Sequence, residues 1–346
     1  MQGLIDKVRS GVELDDGDIA IATAELVSAT VDDELKAEFL AQLHQRGETA
    51  GEIGAFVRQL LERATDPDID LESLPGPAID VCGTGGDGLD LFNVSTTIMF
   101  ILAAGGAVVL KHGNRSVTSC CGSADVLEEL GVSLVLEPDD LRRCVEELQL
   151  CFLFARQYHP VFSALAATRE HLARRKTRTV FNLVGPLLNP ARPPRQLLGV
   201  YASRLTAVFA QVLQQLGRER AWVVHGLTEN GAGMDDLSVC GTSLVAELHA
   251  DEIVALKVEP ESAGVSLGTL AELRGGDRKE NAALLIGILA GEVHGAKREM
   301  ALLNAAGGFV VAGLVEDLPA GVQLAREQID SGSALARLRA LQNFKA

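Results

Sequence analysis

A chain of 346 residues, 47% hydrophobic and 23% charged, can bury its own core without disulfides or a structural metal. Its formal charge of −16 speaks against nonspecific binding to nucleic acid or an anionic membrane, although a local basic pocket fits within that balance. Six cysteines with no CxxC pair and no metal spacing read as small buried hydrophobes at Cys82, Cys144, Cys151 and Cys240, and point to a reduced, cytoplasmic protein.

The acidic N-terminus, MQGLIDKVRSGVELDDGD, has no apolar stretch of the kind a secretory signal needs. Residues 1 to about 66 read as wholly helical. TAGEIGAFVRQLLERA opens with Thr49 and Glu52 three apart, a capping-box pattern, and then sets Ile53, Phe56, Leu60 and Leu61 on one helical face. The polar, Pro-rich stretch DPDIDLESLPGP (66–77) reads as a linker. Beyond it, AIDVC, AVVLK and AWVVHG are short apolar runs that suit strands buried on both faces. The apolar stretch from Thr96 to Leu110 is broken by Gly105 and Gly106 and falls short of the ~20 residues of a membrane helix. SRLTAVFAQVLQQLG (203–217) is an amphipathic helix with Ser203 as the expected cap and Gly217 as its end. Strands alternating with helices predict an α/β fold, with a small N-terminal all-α domain beside a larger α/β domain with a mainly parallel central sheet.

AIDVCGTGGDGLDLFNVSTT (78–97) contains G-x-G-x-x-G in Gly83, Gly85 and Gly88. A dinucleotide fold starts its helix within those glycines and places an acid about 20 residues on. Here the helix is expected only near Ser95 or Thr96, and the second strand ends in Lys111, a cation suited to an anion. No GK[ST] follows a glycine run, which excludes a Walker A loop. What remains is a loop whose N–H groups can approach phosphate beside a helix N-terminus. KHGNRSVTSCCGSADVLEELG supplies a second such loop, rich in small and hydroxyl residues. Cys120 and Cys121 stand in it as small packing residues, beside anion donors able to lower a thiol pKa.

GTGGDG, FNVSTT, KHGNRSVTS with GSADVLEELG, VFNLVGPLLNP and GGDRKENA together resemble the anthranilate phosphoribosyltransferase family, over about residues 47 to 306. The resemblance implies a nucleoside-phosphorylase-like fold, with residues 1–70, completed by about 163–185, forming the helical domain and residues 76–162 and 186–346 the α/β domain. It implies transfer of phosphoribose from 5-phosphoribosyl 1-pyrophosphate to anthranilate, with Mg2+ as cofactor, in a homodimer that binds neither nucleic acid nor membrane. It places the donor on Gly83, Gly86, Asp87, Asn93, Val94, Ser95 and Thr96. The second phosphate loop would comprise Lys111, His112, Gly113, Asn114, Arg115, Ser116, Val117, Thr118 and Ser119, together with Ser123. Anthranilate would meet Gly83, Asn114 and Arg169, and the metal would meet Ser95, Asp235 and Asp236.

Displacing pyrophosphate from ribose needs charge stabilisation more than proton transfer, because an aromatic amine already offers a free lone pair. No acid or base is therefore assigned. The sequence departs from the family pattern in having Leu91 for a hydroxyl residue, Asp236 for Glu, and longer stretches at EHLARRKTRTVFN and HGLTENGAGMDD. Arg174, Arg175, Lys176 and Arg178 in the first of these read as a solvated helix end. The competing readings are a transferase for another aromatic amine or nucleobase, a pyrimidine nucleoside phosphorylase, and a non-catalytic nucleic-acid-binding relative.

Overall fold

The computed structural model describes residues 1–116, 120–175 and 177–344. The N-terminal part of the chain is four helices: α1 (Gln2–Arg9), α2 (Asp16–Val27), α3 (Asp33–Arg46) and α4 (Ala50–Leu61). Asp15, Asp32 and Thr49 cap the last three, each accepting a hydrogen bond from a first-turn N–H. Thr49 and Glu52 form the expected capping box. The Glu52 carboxylate is fully buried and is also held by Arg46 and by the Leu14 N–H, so one side chain ties three segments of the bundle together.

Among the described residues eight strands follow: β1 (Ala78–Gly83), β2 (Val108–Gly113), β3 (Leu150–Phe154), β4 (Arg195–Gly199), β5 (Arg220–Leu227), β6 (Gly233–Met234), β7 (Ser243–His249) and β8 (Glu252–Val258). Their order is β3-β2-β1-β4-β5-β7-β8, with the short β6 on β5. The pairs from β3 through β5 are parallel, while β6, β7 and β8 join antiparallel. The chain runs outward from β1 to β3, then returns to lay β4 on the other side of β1. Such a reversal leaves a crevice beyond the carboxyl ends of the two strands, where ligands of open α/β sheets bind.

One face of the sheet is covered by the helices Val94–Ala104 and Ala296–Ala312, whose residues are buried almost all round. The other face shares a single core with the N-terminal bundle: Leu198, Val200, Ala221 and Val223 pack in one cluster with Phe39, Phe56, Phe209 and the segment Val161–Leu188. The bundle and the sheet are thus joined by apolar contact, and the linker between them carries only a 3-10 turn at Leu71–Ser73.

Two expectations shift. The helix after the first glycine loop starts at Val94, with Asn93 at its N-cap, slightly earlier than expected. The amphipathic helix runs Leu205–Gln215 with Arg204, not Ser203, at the N-cap position. The chain leaving β4 winds into turns first, and the Ala202 and Ser203 carbonyls take the Leu205 and Thr206 N–H groups, so no side-chain cap is required. Among the described residues no helix is long and apolar enough to cross a membrane.

Candidate active site

The crevice at the ends of β1 and β4 is crossed by a third piece of chain. After β5 a tight turn, closed by the Thr228 N–H on the Ala232 carbonyl, leads through β6 into Asp235 and Asp236. This segment lies directly on three strand ends. A Cβ on Gly199 would overlap the Asp235 carbonyl, one on Gly83 would overlap the Asp235 carboxylate, and one on Gly226 would come within 2.5 Å of the Asp236 carbonyl oxygen. The first glycine of the G-x-G-x-x-G run therefore makes room for an acid as well as for a ligand.

The loop itself is an array of donors. Gly85 and Gly86 are consecutive left-handed residues, at φ +65° and +80°, a conformation that only glycine adopts freely. The Gly85 N–H donates to Asp235 Oδ2 at 2.7 Å. The next three N–H groups, on Gly86, Asp87 and Gly88, have no acceptor among the described residues. Successive free N–H groups of this kind form an anion-binding concavity. Its far side is pinned by Leu91 pairing with Arg274 and by the Gly275 N–H on the Asp90 carbonyl, a role for the GGDRKENA stretch that its sequence did not reveal.

Beneath the loop lies Lys111, fully buried on β2, with Nζ 2.5 Å from the Val81 carbonyl oxygen and 3.1 Å from Ser95 Oγ. Burial pushes its ammonium pKa down, while the charges of Asp80 and Asp236 hold it up. Above it, Asp235 and Asp236 both have raised pKa values, chiefly because they are removed from water and then because Asp87 and their own proximity add like charge. Three acids facing one another around a single lysine are short of positive charge. At the start of the helix beside them, Asn93 Oδ1 and Thr96 Oγ1 are buried with no hydrogen-bond partner among the described residues. Val94 is buried in that first turn and faces the core. No three His, Cys, Asp or Glu side chains among the described residues converge on one point. Magnesium does not need them to, because it keeps most of its octahedron for phosphate and water and takes one or two protein carboxylates. Asp235, Asp236 and Ser95 fit that requirement.

The second loop is organised by Asp125, whose Oδ2 accepts the Ser116 and Gly122 N–H groups at 3.0 Å each. Ser123 Oγ donates to the Asn114 carbonyl at 3.2 Å, and Gly113 is packed so closely on Ser123 and Phe152 that no Cβ fits. Arg115 lies elsewhere than a phosphate ligand would: its guanidinium grips Glu128 with two hydrogen bonds, adds Asp125, and covers the Phe154 ring. Val117, Thr118 and Ser119 lie outside the described residues. Neither loop cysteine is activated, since Asp90 holds the Cys120 thiol pKa up and burial does the same for Cys121.

From the end of β2 a chain of rings leads to the helix that carries Arg169. His112 meets His159 edge-on at 5.2 Å, His159 meets Phe162 at 5.9 Å, and Phe162 meets Phe181 at 5.8 Å. The Arg169 guanidinium lies 5.6 Å over Phe162 and has no acidic partner among the described residues. This makes an apolar aromatic wall with one unpaired cation at its end. Burial drives the His112 pKa down from 6.5 to about 3, so its ring is neutral. Because the folded value lies below the unfolded one, this histidine's contribution to stability is complete above 6.5 and is lost as pH falls toward 3. The pH profile for acceptor use is expected to show no His112 limb between about pH 5 and 8. An inflection there that vanishes in His112→Asn would contradict the assignment.

A mainly parallel sheet with a donor-rich glycine loop, a buried lysine and paired acids at its switch point is the apparatus of a transferase acting on a phosphorylated donor. The comparisons agree. Residues 75–335 match the glycosyl transferase family a/b domain and residues 2–64 the helical bundle domain of the same family. An anthranilate phosphoribosyltransferase of Petrotoga mobilis is 41% identical over 98% of this chain and 95% of its own length. That of Natronomonas pharaonis is 40% identical over the whole of both. The crystal structure of the Thermus thermophilus enzyme superposes with a TM-score of 0.88 at 38% identity, covering 99% of this chain and 98% of that one. The Saccharomyces cerevisiae enzyme in complex with PRPP and Mg gives 0.86 at 25% identity, covering 98% and 96%. The chain belongs to the anthranilate phosphoribosyltransferase family.

Proposed function

We propose that this protein transfers the 5-phosphoribosyl group from 5-phosphoribosyl 1-pyrophosphate to the amine of anthranilate, with Mg2+, releasing pyrophosphate in tryptophan biosynthesis. The observation that carries the reading is the pairing of a donor-rich loop and half-buried acids at the β1–β4 crevice with an aromatic wall ending in an arginine that has no acidic partner among the described residues. In this reading the N–H groups of Gly86, Asp87 and Gly88 bind the diphosphate, and Asn93 and Thr96 give their free oxygens to the sugar hydroxyls. Lys111 adds fixed positive charge beneath the leaving group. Ser95, Asp235 and Asp236 would hold magnesium, which would supply Lewis-acid neutralisation of that group. Of the second loop, His112, Gly113, Asn114 and Ser116, together with Ser123, would face the 5′-phosphate. The neutral ring wall seats the aromatic acceptor, with Asn114 and Gly83 near its reacting end and Arg169 on its carboxylate. The amine attacks C1 as pyrophosphate departs, and no side chain has to remove a proton beforehand.

We further read the protein as a cytoplasmic homodimer joined through the helical bundle. The six free thiols suit a reducing compartment, and exposed Val12 and Ile21 give the bundle an apolar outer face. In this reading residues 1–70, completed by about 163–185, form the helical domain.

The test supplies donor, magnesium and a panel of aromatic amines and nucleobases, and follows anthranilate fluorescence with pyrophosphate release. Turnover of another amine in preference to anthranilate would overturn the acceptor. Arg169→Ala is expected to weaken anthranilate about 10- to 100-fold through loss of a charge-assisted pair, while use of aniline is little changed. Equal losses for both amines would remove the carboxylate assignment.

A further inference from the structure

Arg178 lies in the stretch that reads from sequence as a solvated helix end, and the structure gives it a defined place. Its guanidinium stacks on the Tyr201 ring at 4.6 Å from the centroid, and Nη2 donates to the Gly86 carbonyl at 3.2 Å. Tyr201 stands just past β4, with its N–H on Thr84 Oγ1 at 3.2 Å, and the Thr84 N–H in turn reaches the Gly199 carbonyl at 2.9 Å. The Tyr201 stack and the Gly86 bond together hold the cation against the first glycine loop.

What it lacks is a counter-charge. About half the arginines of this acidic chain pair with carboxylates among the described residues, including its neighbours Arg174 with Glu170 and Arg175 with Glu34. Arg178 has no carboxylate in ion-pair range among the described residues, although Asp87 follows the very glycine it touches. A guanidinium carries five donors in a planar fork, and one is used on Gly86. Beside it lie the three N–H groups of Gly86, Asp87 and Gly88 that have no acceptor among the described residues. Backbone donors and a stacked, unneutralised guanidinium on one edge match the oxygens of a phosphate, which arginine binds through two parallel hydrogen bonds.

We infer that Arg178 contacts the terminal phosphate of the donor's pyrophosphate group, and so is a donor-binding residue contributed by the same segment that carries the acceptor's Arg169. This rests on the donor assigned above. Burial of the diphosphate against the loop turns the free edge of the fork toward it, while the Tyr201 stack keeps the plane of the guanidinium in place.

Calorimetric titration with inorganic pyrophosphate and magnesium, alongside steady-state kinetics, tests it on Arg178→Ala, Arg178→Gln and Arg178→Lys. Arg178→Ala is expected to weaken pyrophosphate and raise the donor KM by about tenfold or more, the scale of one charge-assisted hydrogen bond, with the anthranilate KM unchanged. Arg178→Gln keeps an N–H for the Gly86 carbonyl but no charge, and should fall with the alanine variant. Arg178→Lys should recover part of the affinity. Wild-type affinity in Arg178→Gln would show that the residue only braces the loop. A loss confined to anthranilate would place it on the acceptor, and either result overturns the inference. If the unsubstituted enzyme itself neither binds pyrophosphate nor uses the donor, the functional reading fails first.

Discussion

Gly199→Ala is expected to cost this enzyme nearly all of its activity and part of its stability. The methyl group would overlap the carbonyl oxygen and carbon of Asp235, and both are backbone atoms, so no rotamer relieves the contact. β4 is paired on both sides, with Gly199 opposite Gly83 of β1 and Val224 of β5, and cannot retreat without breaking ladder bonds. The segment holding Asp235 and Asp236 must move instead. Overpacking of this kind costs about 1–3 kcal/mol. Displacement of a charge-stabilising pair by about 1 Å costs about 10²-fold in rate. Gly83→Ala is the informative companion, because its methyl overlaps the Asp235 side chain and comes only to 3.2 Å from the Asp235 backbone oxygen. It should lose activity with a smaller fall in melting temperature. Thermal melts and kcat of the two variants decide the matter: full activity in Gly199→Ala would mean that the acid segment is not part of the working site.

Asp235→Asn is expected to separate function from stability. The asparagine oxygen can keep the 2.7 Å bond from the Gly85 N–H, so the loop retains its shape while the charge is lost. With the metal site weakened, kcat is expected to fall about 10²-fold and the magnesium requirement to rise. Stability should move the other way. Burial and the neighbouring acids raise the Asp235 pKa, so its folded-state value exceeds the unfolded one. Such a group stabilises the fold fully below the unfolded value and loses that contribution as pH rises through the folded value. At neutral pH with a chelator present, the neutral amide should therefore melt no lower than the native acid, and its advantage over the native acid should grow as pH rises. Full activity at ordinary magnesium in this variant would take Asp235 out of the mechanism. A sharp fall in melting temperature would show that its charge is structural.

Neither substitution could have been ranked from sequence. Gly83 was legible as a loop glycine, because a small residue between a buried apolar run and a hydroxyl-rich helix start implies close approach by something. That the something includes Asp235, some 150 residues away, depends on how β5 turns back over β4. Gly199 and Gly226 carried no signal at all, since a single glycine at a strand end has many uses. Arg115 shows the opposite failure. A cation in a phosphate-like loop looks free, yet Glu128 lies one turn into the next helix and claims it. Arg178 looked like one more charge in a basic run until Tyr201 and Gly86 were brought beside it.

The sequence by itself determined the helical N-terminal region, three strands of the core (AIDVC, AVVLK and AWVVHG), the mainly parallel character of the sheet and the two glycine-containing loops. Those features are written in local patterns: apolar runs of strand length, helical spacing, capping pairs and glycines whose φ no other residue adopts freely. It also determined that acids, a lysine and hydroxyls of the right kinds were present for a phosphorylated donor. Only the tertiary structure decided which of them meet. The reversal of strand order at β1, which puts β4 next to it, creates the crevice. The passage of residues 234–238 across three strand ends then sets the acids over Lys111. The ring contacts from His112 to Phe181 bring Arg169 to the same neighbourhood. The physical reason is that pairing between distant segments is fixed by burial of whole faces and by loop closure, neither of which leaves a mark at the positions that finally touch.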